Sequence, residues 1–149
     1  MIRSALPAAV LTIFLAIPAE AELVRKQSPH SVKETVDRLE TAIKDRGLAV
    51  VARVDHAAAA KKAGLELRPT ELIIFGSAIV GTPLMQQEQT MGLSLPMKAL
   101  AWQDATGQVW LGYDAPTSMA AERGVPGDHP VVQKIGGALN ALSEEATKK

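Results

Sequence analysis

The sequence predicts an α+β fold: a single two-layer domain in which a mostly antiparallel sheet carries helices packed on it, beginning with a strand–helix–strand unit. Three observations carry this expectation. A serine-capped apolar stripe at helical spacing lies between two extended apolar runs near the start. An Asp-Ala-Thr-Gly turn separates two aromatic-containing runs near residue 105. The chain then closes on a second apolar stripe at helical spacing.

Residues 1–21 stand apart from this fold. Arg3 provides a short basic start, Ala5 to Ile17 is apolar but for Pro7 and Thr12, and Ala19-Glu20-Ala21 has the small-x-small form of a signal-peptidase site. The apolar stretch is shorter than the ~20 residues that span a bilayer comfortably, so cleavage is expected in preference to an uncleaved anchor. The domain is therefore expected to be Glu22 to Lys149, periplasmic or secreted, with no stable membrane insertion after cleavage.

The elements follow in order. Glu22 to Gln27 is a strand. Ser31 precedes Glu34 at capping-box spacing, and Val32, Val36, Leu39 and Ile43 form the stripe of a helix that Gly47 ends. Leu48 to Val54 reads as a buried strand, Asp55 caps a short helix through Ala63, and Gly64 closes it. Leu72 to Phe75 is a third strand. Thr82 and Pro83 read as N-cap and first residue of a further helix, one that ends before Gly92. Lys98 to Gln103 and Gln108 to Tyr113 form a hairpin around Asp104 to Gly107. Thr117 to Arg123 makes a helical turn before Gly124. Asp128 caps a final helix striped by Val131, Val132, Ile135, Leu139 and Leu142, and Ser143 to Lys149 is a frayed polar tail.

Composition removes several classes of function. The chain has no cysteine, which excludes disulfides, thiolate metal sites and thiol nucleophiles. Its formal net charge is zero, so it has no electrostatic footprint for nucleic acid. His30, His56 and His129 lie far apart without metal-ligand spacing, and Met85, Met91 and Met97 recur at an interval that does not share a helix face. No metal and no cofactor is expected.

Gly76 and Gly81 have the separation of a phosphate-binding loop, but the lysine of that loop is absent and Thr82 is followed by Pro83. A turn permitted by the two glycines is the favoured reading, and a helix start there could still attract a small anion. Ser77 does not sit in a Gly-x-Ser-x-Gly elbow, because Phe75 and Ile79 occupy the flanking positions.

Across this region "VDHAAAAKKAGLELRPTELIIFGSAIVGTPLM", "LSLPMKALAW" and "GQVWLGYDAP" resemble the bacterial and archaeal family called domain of unknown function 302, over about Ser31 to Leu142. Asp55-His56-Ala57, Phe75-Gly76, Gly81 to Met85, Leu95-Pro96 and Trp102 through Gly107 to Tyr113 carry the likeness. The chain departs from the pattern at Ser77-Ala78, where the family often has Asn-Pro. The resemblance implies a compact α+β fold and self-association as a homodimer, and no established activity.

The candidate ligand-binding residues are Asp55, His56, Gly76, Gly81 and Thr82, with no catalytic residue assigned. His56 has the pKa range of an acid or base near neutrality, yet a backbone-bonded structural role near the helix start weighs more. Whether His56 approaches Gly76 to Thr82 depends on the relative direction of the second and third strands, which the sequence leaves open. Trp102 and Trp110 read as core residues, with an exposed sheet face as the alternative. The leading expectation is an exported, non-catalytic binding or interaction module with a small ligand or anion at these loops. The rival is a small periplasmic enzyme using His56 as acid or base near an anion held at Thr82.

Overall fold

Local capping sets where the chain turns into a helix after each of its first two strands. β1, Leu23–Ser28, runs into Ser31, whose hydroxyl accepts the N–H of Glu34 at 3.2 Å, and α1 follows as Val32–Asp45. Only half of the capping box forms, because the Glu34 carboxylate lies 3.1 Å from His30 Nδ1. The helix ends at Gly47, φ +68°, where the Leu48 N–H bonds the Ile43 carbonyl and the Gly47 N–H bonds that of Lys44. That double closure satisfies two carbonyls the helix would otherwise leave open. β2, Ala49–Asp55, leads directly into α2, His56–Lys62, where the Asp55 carboxylate accepts the Ala58 N–H at 2.8 Å.

The rest of the chain, in a computed structural model that describes residues 22–149, comprises β3 (Thr70–Gly76), α3 (Ala78–Gln87), a 3-10 turn (Gln89–Leu93), β4 (Met97–Gln103), β5 (Val109–Asp114), α4 (Pro116–Glu122) and α5 (Pro130–Thr147). The expected signal peptide and its cleavage site lie outside the described residues.

All neighbouring strands are antiparallel, in the order β1-β5-β4-β3-β2. The opening strand–helix–strand unit is therefore spread across the whole sheet: its strands are the two edges, and α1 crosses between them against β3, β4 and β5. Alternation along each central strand sends one set of side chains to the helices. Ile73, Phe75, Ala99, Ala101, Leu111 and Tyr113 meet Val36, Leu39 and Ile43 of α1 and Val132, Leu139 and Leu142 of α5 in the core.

Four expectations are corrected. β2 is an edge strand with Val51 62% exposed, because an apolar run has the same composition whether it lies inside a sheet or ends it. A register shift between Val50 and Ala52 leaves Val51 outside the ladder, a feature that blunts an edge. The cap of α5 is His129, whose Nδ1 accepts the Val131 N–H at 3.2 Å, and not Asp128. Pro130 takes the first helical position, so the cap is the residue before it.

Ser143 onward is not frayed. α5 continues to Thr147 with Ser143 and Ala146 buried, and Arg38 of α1 donates to the carbonyls of Ala146 and Lys148, each at 3.1 Å. His30 Nε2 also donates to Lys148, at 2.8 Å. Tertiary partners hold a segment whose own composition would not. Finally, Trp102 and Trp110 face away from the helices, as a directly opposed pair on the open side of the sheet.

Candidate functional site

The stretch after β3 is a helix, not a glycine turn. Ser77 is extended (φ −141°, ψ 126°), the Gly81 N–H bonds the Ser77 carbonyl at 2.9 Å, and α3 begins at Ala78, four residues before the expected cap at Thr82. Pro83 lies inside the helix. The carbonyl it cannot serve is that of Ile79, a residue 88% exposed, where water can take the place of the missing N–H.

Neither Gly76 nor Gly81 has a positive φ. A Cβ on Gly76 would lie 3.4 Å from Pro96 Cβ, and one on Gly81 would lie 3.4 Å from Leu95 Cδ1. These glycines let β3 and α3 approach the Leu95–Pro96 segment closely. They do not bend the chain.

That approach frames a pocket of about 510 Å³ at the end of β3, between α3, α5 and the start of β2. Phe75, Leu139 and Leu142 are buried members of its lining, to which α3 contributes Val80 and α5 contributes Ala138. Val51, Ser77 and Lys134 lie among its lining with more exposure. Lys134 is the one charged side chain in the lining, Ser77 supplies the one hydroxyl, and no carboxylate or imidazole contributes. Ser77 makes no side-chain bond to the helix it precedes.

The candidate residues separate. Gly76 and Gly81 line this pocket, while Thr82 is exposed and outside it. β2 pairs antiparallel with β3, setting Ala49 opposite Gly76 and Asp55 opposite Glu71. Six strand steps from Ala49 to Asp55 put His56 about 20 Å away along the strand. His56 is exposed, and the Asp55 carboxylate is engaged in capping α2. No shared site joins His56 to Thr82 among the described residues.

Sequence reasoning missed the α5 wall. Lys134 and Ala138 are i,i+4 neighbours flanking the apolar stripe, but that spacing does not name the strand end they lie beside.

The strongest electrostatic cluster serves the fold. Arg53 Nη1 lies 2.8 Å from Asp37 Oδ1 and 2.8 Å from Glu40 Oε2, and its Nη2 lies 2.6 Å from Glu71 Oε1. Burial opposes the arginine's charge, but the three carboxylates outweigh it and hold the guanidinium above its usual range. Asp37 is held below the ordinary aspartate value first by Lys33 and then by Arg53, and Glu40 below the glutamate value first by Lys44 and then by Arg53. No group of three or more His, Asp or Glu residues that could hold a metal ion occurs among the described residues.

The open sheet face is the other notable surface. Trp110 donates its indole N–H to Asp104 Oδ2 at 2.8 Å, and the Arg25 guanidinium lies 4.9 Å from a Trp110 ring centroid. Trp102 lies over Gly112, where a Cβ would come within 3.0 Å of its ring. Leu72 and Leu100, paired across β3 and β4, continue the apolar surface beside these rings.

A family model described as "Domain of unknown function DUF302" matches residues 24–144. The crystal structure of an uncharacterized conserved protein DUF302 from Bacillus stearothermophilus aligns with a TM-score of 0.76 over 85% of this chain and 98% of that one, at 19% identity, a likeness of fold. The chain is also 52% identical over 101 residues, 68% of its length, to proteins named "Fluoride-specific ion channel FluC 1" of Brucella suis biovar 1 and Brucella abortus biovar 1. The match spans 40% and 37% of those two proteins, well under half of each. No helix among the described residues is long and apolar enough to cross a membrane.

Proposed function

The chain belongs to the domain of unknown function 302 family, and from that premise we propose that it is an exported, non-catalytic binding module that holds a small apolar ligand in the pocket between α3 and α5. The observation that carries this reading is the pocket itself. A cleft of about 510 Å³ falls within the ~300–1,000 Å³ range of ligand sites and is lined almost entirely by hydrocarbon. Its lining holds no carboxylate and no imidazole to serve as general acid or base. The basic start, apolar run and Ala19-Glu20-Ala21 site support export.

The test is native mass spectrometry of protein recovered from the periplasm, combined with uptake of the neutral fluorophore N-phenyl-1-naphthylamine. A chain starting at Glu22, a small-molecule adduct lost on denaturation, and fluorophore uptake once that adduct is gone are expected. Intact precursor in the cytosol would remove export from the reading. A bare protein that takes up no fluorophore would remove the pocket.

A second reading, self-association as a homodimer, is favoured by the open sheet face. Its paired tryptophans, with Leu72 and Leu100 beside them, form an apolar surface that α1 and α5 leave uncovered. Sedimentation at increasing concentration tests it: Trp102→Lys is expected to abolish a dimer formed by this face, and an unchanged sedimentation coefficient in that variant would refute the assignment. The activity in the Brucella proteins' name belongs to chains of which this match is 37–40%.

A further inference from the structure

Resting on the pocket as a ligand site, we propose that its occupant is an amphipathic anion: a single hydrocarbon chain ending in a carboxylate, with the chain against Phe75, Leu139 and Leu142 and the carboxylate at Lys134. The apolar lining suits a hydrocarbon chain because Ser77 and Lys134 are the only polar side chains it offers. The end group is selected by charge. Lys134 is the only charged lining residue, and no carboxylate lines the pocket to receive a cationic head.

Like Lys61, Lys62 and Lys98, Lys134 forms no ion pair among the described residues; what sets it apart from them is its place in the pocket lining. It stands on α5 four residues before Ala138, one turn apart on the same face, and both line the pocket. An ammonium on a flexible stem, apolar along its length and wet at its tip, reaches a carboxylate at the mouth of a cleft without being dragged into it. The Ser77 hydroxyl, unused in capping α3, adds a neutral donor to the lining.

The experiment is displacement of N-phenyl-1-naphthylamine by dodecanoate, dodecanol and dodecyltrimethylammonium, each below its micelle-forming concentration, on the exported protein freed of adduct. Dodecanoate is expected to bind about tenfold more tightly than dodecanol, a difference of ~1.4 kcal/mol, and the cation more weakly than both. Lys134→Ala should bring dodecanoate level with dodecanol, and Lys134→Glu should reverse the order of the two ions. Lys134 is exposed, so neither variant puts the fold at risk. Ala138→Phe should weaken all three ligands; Val51→Trp, at an exposed position, is the alternative if that variant does not fold.

Equal binding of dodecanoate and dodecanol by the unaltered protein, or a preference that survives Lys134→Ala, overturns the anion proposal and leaves the apolar pocket standing. Failure of the fluorophore and of all three ligands overturns both. Uptake that falls as protein concentration rises means a second copy closes the cleft, and that also overturns the proposal.

Discussion

Replacing Arg53 with methionine tests what ties the β2 edge to the helix layer. The pairs to Asp37 and Glu40 involve carboxylates with 42% and 23% side-chain exposure, and each carboxylate also has its own lysine, Lys33 or Lys44. Each is therefore worth about 0.5 kcal/mol or less. Glu71 is different: its side chain is 12% exposed and Arg53 is its ion-pair partner. Left unpaired, it costs ~1–3 kcal/mol.

The total loss is expected near ~2.5 kcal/mol, read as a lower urea midpoint with an unchanged slope by far-UV circular dichroism at pH 7. Adding Glu71→Leu should recover part of the loss, because the buried charge then disappears with its partner. The pH dependence has a defined sign. The folded carboxyls of Asp37 and Glu40 titrate below their ordinary 3.8 and 4.5, so the unfolded chain takes up protons first. Their stabilisation is complete above about pH 4.5 and is lost as pH falls through the folded values, and Arg53→Met should flatten that decline. A loss under ~0.5 kcal/mol, or a double variant less stable than Arg53→Met alone, would refute this account of the junction.

Three further outcomes are expected. The Asp104 carboxyl, held down to about 2 first by the Thr106 hydroxyl and then by the Trp110 indole, should titrate there by carbon-13 NMR; Thr106→Ala should raise it toward 3.8. His56→Ala should leave fluorophore uptake and ligand order unchanged, since His56 lies at the far end of β2; a loss of uptake would revive a role for it in binding. Gly81→Val should cost ~1–3 kcal/mol by overpacking against Leu95 and should reduce fluorophore uptake, measured by thermal melts and titration.

What was legible in the sequence was chiefly what is decided locally. Ser31, Gly47, Asp55, Gly64 and Gly107 mark element ends through their own backbone or side-chain chemistry, and each does so in the structure. The hairpin closes with the Asp104 N–H bonded to the Gln108 carbonyl at 2.8 Å.

Errors arose where a distant partner decides. Leu48 to Val54 could not announce itself as an edge, because strand order is set by β3, β4 and β5 filling the space between β2 and β1. The polar segment from Ser143 became ordered helix through Arg38 and His30, more than a hundred positions earlier in the chain. The two tryptophans fit either face by composition, and only the cross-strand register with the buried Ala101 and Leu111 places them outside. The candidate site was legible at Gly76 and Gly81, but its α5 wall was not, since nothing in the residues near 76 names their partner across the cleft.

The small residues around that cleft bear on why it stays open. Gly76, Ala78, Gly81 and Ala138 come from three elements, and none brings a side chain large enough to reach across. Protein interiors pack at densities of about 0.75, and surfaces facing a gap forfeit contacts that a larger side chain would restore. Ala138→Phe should therefore raise the stability of the ligand-free protein by ~1 kcal/mol, the apolar burial of part of a ring. It should also abolish the added stability that dodecanoate confers on the unaltered protein. Such an exchange of stability for binding is what a ligand site produces, because the cleft remains unfilled until its occupant arrives. Thermal melts with and without dodecanoate separate the outcomes: a variant that is less stable when empty, yet still stabilised by dodecanoate, would mean that the cleft is a packing irregularity and that the ligand binds elsewhere.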